Sequence, residues 1–152
     1  MRLLRMAGRP MLLLILMATP PLTALAQGKV PVFLATTVDA DDQVGRQIVF
    51  ELKEAIRGSQ GFLLEEEPTA WPYLKVFLVT LKTRPSRGTA ISYSLLYDHT
   101  SMPLNGAFIT SVVQTCGPSE VVSCARTALG QIDQAIEDLQ RSNPEFRRTL
   151  SR

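Results

Sequence analysis

Hydrophobic and polar positions along this chain repeat with two different periods, and each change of period marks an element. "VPVFLATT" (Val30 to Thr37) is apolar and β-branched, with Pro31 near its start, where a strand tolerates proline. From Asp39 the period lengthens. Val44, Ile48, Leu52, Ala55 and Ile56 recur at three- and four-residue steps and predict an amphipathic helix. Asp39 is placed to cap its free N–H groups, Asp41 and Asp42 lie near the positive end of the helix dipole, and Gly58 is placed to end it. "GFLLEE" (Gly61 to Glu66) predicts a short strand, and "EPTAWP" a connector with two prolines. "YLKVFLVTLK" (Tyr73 to Lys82) is mostly apolar on both faces, as in a central strand covered on at least one side.

The next segments complete the pattern. "TAISYSLLYD" (Thr89 to Asp98) alternates, with Ile91, Tyr93, Leu95 and Tyr97 on one face and Ala90, Ser92 and Ser94 on the other. "AFITSVVQTC" (Ala107 to Cys116) predicts the last strand, and the short connectors predict an antiparallel meander. A closing helix is expected from about Pro118, a residue favoured at the first helical position. Val121, Ala125, Ala128, Leu129, Ile132, Ala135, Ile136 and Leu139 trace its apolar face, and Asn143-Pro144 ends it. "EFRRTLSR" reads as a polar tail with little to bury.

The order β-α-β-β-β-β-α predicts an α+β fold. The economical form is a two-layer α/β sandwich, with two helices packed on a mixed sheet that contains an antiparallel meander. Internal repeats, low-complexity blocks and a second domain are absent, so one domain is expected over 27–142, followed by a tail over 143–152.

The first residues speak to compartment. Arg2, Arg5 and Arg9 form a positive region before the apolar run "MLLLILM" (Met11 to Met17). Pro20 and Pro21 break any helix, and Ala24-Leu25-Ala26 supplies a small-x-small cleavage pattern. A spanning helix needs roughly 20 apolar residues, far more than this run offers. A signal peptide over 1–26, cleaved between Ala26 and Gln27, is therefore expected, with the membrane met only through this transient segment. Loss of the three arginines would leave 13 basic against 14 acidic residues, so the formal charge falls from +2 to −1. The basic character belongs to the leader and argues for no nucleic-acid partner.

Compartment in turn decides the cysteines. Cys116 ends a strand, Cys124 lies in the first turns of a helix, and Gly117-Pro118 reverses the chain between them. Two cysteines in an exported chain predict a disulfide, with two free buried thiols as the alternative. The C-x-x-C spacing of a redox pair is missing, and a structural zinc site wants four N/S ligands, whereas His99 is the only histidine.

Other reactive residues do not converge. Asp98-His99 has a serine nearby but no G-x-S-x-G elbow, and adjacent strand residues point apart, so an exposed hairpin histidine is expected. Glu65, Glu66 and Glu67 alternate faces at a strand exit and cannot meet on one cation. Asp39 to Asp42 resembles the start of a calcium loop, yet position twelve of that frame is Phe50 rather than a glutamate. Trp71 is expected to pack at the sheet edge. No catalytic set, cofactor or metal is expected. The residues predict a non-catalytic binding or assembly role; the alternative is a small-ligand-binding protein or hydrolase with a pocket near Asp98 and His99 or by Trp71.

One resemblance joins these segments. "VPVFLATT", "DADDQVGRQIVFELKEAIRGSQGF", "AWPYLKVFLVTLK" and "AISYSLLYD", in that order, resemble the small amino-terminal α/β domain of the periplasmic translocation protein TolB, with relatives among CsgG-like and FlgO-like envelope proteins. The resemblance covers roughly Val30 to Leu139. It implies a Gram-negative periplasm and a protein-interaction role in the cell envelope, with another envelope protein or a second copy as partner. It implies no catalytic residues.

Overall fold

Five strands and two helices follow one another in the expected order in the computed structural model, which describes residues 28–67, 72–83, 88–98, 106–143 and 146. They are β1 (Val30–Val38), α1 (Gln43–Gly58), β2 (Phe62–Glu65), β3 (Tyr73–Lys82), β4 (Thr89–Asp98), β5 (Ala107–Cys116) and α2 (Val121–Ser142). The strands form one mixed sheet of order β2-β1-β3-β4-β5. β1 runs parallel to both β2 and β3, and β3, β4 and β5 form the antiparallel meander. The fold is α+β, as the period changes predict.

Alternation places the core. Leu74, Val76 and Leu78 of β3 share a face with Ile91, Tyr93, Leu95 and Tyr97 of β4, and all are buried. Against them pack Ile48, Leu52 and Ile56 of α1 and Ala125, Ala128, Ile132 and Ile136 of α2. The two helices also touch each other over this face. Each large apolar side chain buried there contributes roughly 1.5–3 kcal/mol of transfer free energy. The alanines of α2 let its backbone come close to its neighbours.

Three local expectations are corrected. The N-cap of α1 is Asp42 rather than Asp39, because the chain turns once between them: the Asp42 N–H donates to the Asp39 carbonyl at 2.9 Å. α2 begins at Val121, not near Pro118, since Pro118 and Ser119 lie in a turn closed by the Glu120 N–H on the Gly117 carbonyl at 3.1 Å. Among the described residues of the tail, Phe146 is buried. Phe146 packs edge-on against Tyr97 with ring centroids 4.9 Å apart, because an aromatic ring close after the end of α2 can still reach the core.

Candidate functional site

The cap of α1 is the most polar part of the interior. Asp42 is 1% exposed. Its Oδ1 accepts a hydrogen bond from the Gly45 N–H at 2.8 Å, and its Oδ2 accepts one from the Thr89 hydroxyl, which is itself buried at the start of β4. The buried Thr80 hydroxyl of β3 makes no hydrogen bond. A Cβ on Gly45 would come within 2.2 Å of Thr80 Oγ1 and 2.3 Å of Asp42 Oδ2, so this close approach requires glycine. Every bond of the Asp42 carboxylate points inward. It joins the start of α1 to the sheet, and reads as a cap and not as a ligand site.

Cys116 and Cys124 are bonded, with their Cα atoms 6.3 Å apart. The bridge ties the end of β5 to the first turn of α2, and its presence fits an oxidising, extracytoplasmic compartment. Tyr93 reaches across the core to donate its hydroxyl hydrogen to Gln131 Oε1, and burial pushes its phenol pKa up to about 12.

The residues with candidate chemistry stay apart. Asp98 Oδ2 accepts from the Tyr73 hydroxyl at 3.0 Å, and Tyr73 packs edge-on against Phe33. Burial, then the Asp98 carboxylate, raise the Tyr73 pKa. Glu66 pairs with Arg57 at 2.7 Å and lies 3.9 Å from Lys53, a surface arrangement that leaves no shared cation position with Glu65 or Glu67. Among the described residues no group of three or more His, Cys, Asp or Glu side chains is placed to hold a metal ion. His99, Trp71, Ala26 and Gln27 lie outside the described residues. A groove of about 670 Å³ runs between β5 and the end of α2, lined by Tyr97, Ile109, Leu139 and Phe146 among others. Strand alternation turns Asp98 to the opposite side of the sheet from Tyr97.

What remains is the sheet's second face. Both helices pack on the face of Val76 and Leu95; no described helix covers the other. Register assembles that open face row by row. Ala35, Phe77, Ser94 and Ser111 lie side by side, then Thr37, Val79, Ser92 and Val113, then Leu81, Ala90 and Thr115. These three rows contain no charged residue. A sheet facing water ordinarily alternates apolar-in with polar-out. Here Leu81 is 60% exposed and Val113 75% exposed, with Phe77 beside them at 42%. The relief is uneven: β3 carries a ridge of large side chains, and β4 next to it a trough of Ala90, Ser92 and Ser94.

The two sheet edges differ as well. β2 has four residues, ends at Glu65 and is followed by Glu66 and Glu67. Short length and charge are the usual means of keeping a strand edge from pairing with another chain. β5 has ten residues, none charged and none proline, and a bulge opposite Leu95 and Leu96 is its only irregularity. The signal for the open face was present in the alternation of β4, whose small outward residues were visible in the sequence. The two-layer form expected from the element order has both helices on one side, as they are; what it did not give was which outward residues that arrangement leaves exposed.

Compared with known proteins, the chain matches no family model, and no curated protein matches it.

Proposed function

We propose that this protein is an exported, periplasmic, non-catalytic binding or assembly module of the cell envelope, organised like the amino-terminal domain of TolB. The observation that carries the reading is the uncharged patch on the open face of the sheet, where Phe77, Leu81 and Val113 are exposed near the uncharged edge strand β5. Exposed apolar surface of this kind marks an interaction site. The disulfide supports an oxidising destination, and the leader ending at Ala26 supplies the route to it. The partner in this reading is an envelope protein or a second copy of the chain.

Two measurements test it. Intact mass of the protein released from the periplasm of a Gram-negative host should correspond to a chain beginning at Gln27 with both thiols oxidised. A photo-crosslinking side chain placed at Val113 should capture an envelope protein or the chain itself in living cells. A full-length cytosolic product with two free thiols would sink the address. A chain that crosslinks to nothing and runs as a monomer would sink the role.

A further inference from the structure

The open face is self-complementary, and the geometry points to a second copy of this chain as its occupant, seated face to face. The inference rests on the binding role proposed above and names the partner. In the three uncharged rows each large residue of β3 stands beside a small residue of β4: Phe77 beside Ser94, Val79 beside Ser92, Leu81 beside Ala90. Consider a two-fold axis that lies between two stacked sheets and runs along the strands, midway between β3 and β4. Rotation about it lays β3 of one copy over β4 of the other at the same height. Phe77 then meets the partner's Ser94 and Leu81 meets the partner's Ala90, so ridge enters trough twice by symmetry. An isologous interface demands that a patch fit itself, and this patch does so residue by residue.

Charge and size agree. A two-fold contact sets like against like, so a charged patch repels itself; the three rows around this axis hold no charge. Four strands of nine or ten residues and one of four, at about 3.3 Å per residue and about 4.8 Å apart, give a whole face on the order of 700 Å². A standard stable interface takes about 800 Å² from each partner, so the contact extends past the three uncharged rows and sets Lys75 over the partner's Leu96. Sheets stacked this way lie about 10 Å apart with strands within roughly 30°. The product is a four-layer α/β/β/α dimer with helices outside.

Sedimentation velocity over a dilution series of the purified chain tests this, with circular dichroism to confirm folding. Wild type should run as a dimer. Phe77→Glu and Ser94→Lys should each weaken it about a hundredfold or more, because each buries an unpaired charge at the contact. Mixing the two variants should restore association. The carboxylate introduced at position 77 of one chain then meets the ammonium introduced at position 94 of the other, while the second contact stays native. A monomeric wild type, unlimited aggregation, binding of the face to lipid vesicles instead of to itself, or mixed variants that stay apart would each overturn the dimer. A monomer that still crosslinks to an envelope protein through Val113 would end this inference and leave the binding role standing. A monomer that crosslinks to nothing would end both.

Discussion

The two faces of this sheet are made by the same strands and answer to different solvents. On β4 the residues Ile91, Tyr93, Leu95 and Tyr97 face the helices and are buried, while Ala90, Ser92 and Ser94 between them face outward and are half-buried. The inner face is large and interlocked with α1 and α2. The outer face is low in relief along β4, and its charges, Glu65, Lys75 and Asp98, lie toward one end, leaving three neighbouring rows with none. Folding and the proposed association thus draw on separate sets of side chains, one residue apart. The contrast predicts that substitutions on the inner face change stability and those on the outer face change association.

The inner face should give the largest effect. Leu95 is fully buried, and Leu95→Ala removes its contacts and leaves a cavity, at a cost of about 2–5 kcal/mol. Denaturant unfolding followed by circular dichroism measures it. A cost under about 1 kcal/mol would mean that this face is loosely packed and would blur the difference between the faces. Next is the disulfide. Closing a loop of about nine residues predicts about 2.6 kcal/mol from chain entropy, so Cys116→Ser with Cys124→Ser should lower stability by about that much in oxidising buffer. The same loss should follow reduction of the wild type, and reduction should not alter the double variant further.

Gly45 offers a smaller and more local test. Gly45→Ala forces a methyl against Thr80 Oγ1 and Asp42 Oδ2, and the expected cost is about 1–3 kcal/mol of overpacking. Neutral or stabilising behaviour would show that Thr80 and Asp42 can move apart, and that the cap of α1 is not pinned to the sheet. A pH experiment probes the same core from the other side. The Tyr93 phenol titrates at about 12 in the folded chain, against an ordinary value of 10.0. The unfolded chain therefore loses this proton first. Stability should be flat below pH 10 on account of this group and fall as pH rises from about 10 to about 12. Tyr93→Phe should flatten part of that slope, leaving the part due to Tyr73, which shifts in the same direction.

The fold was legible where periodicity was strong. β3, β4 and β5 carry the expected boundaries, and the apolar stripes of α1 and α2 hold the residues that are buried. The pairing of Cys116 with Cys124 followed from spacing and compartment. Boundaries set by a turn were less legible. Asp39, Asp41 and Asp42 are all chemically fit to cap, and only the turn between Asp39 and Asp42 selects the last. Phe146 was missed because one aromatic residue in a charged segment has no periodicity to betray it. The open face was half-legible. The outward residues of β4 could be read, and the two-layer form put both helices on one side, but apolar residues on both faces of β3 did not say which of its faces they cover. The side the helices take is decided by packing beyond any single strand's pattern.

The smallest expected effect sharpens the comparison most. Leu81 is 60% exposed in the folded chain, so its side chain already spends most of its surface in water. Leu81→Ser removes little burial on folding, and surface substitutions of this kind stay within about 0.5 kcal/mol. Measured at concentrations low enough for the chain to be monomeric, its unfolding midpoint should overlie that of wild type. At high concentration the same variant should lose association, because a hydroxyl replaces the apolar ridge that meets the partner's Ala90. Both readouts are needed, since a change in stability alone would mean that Leu81 is buried in the monomer. If Leu81→Ser costs as much in dilute solution as Leu95→Ala, the two faces are equally covered within one chain. The division of labour between them would then be wrong.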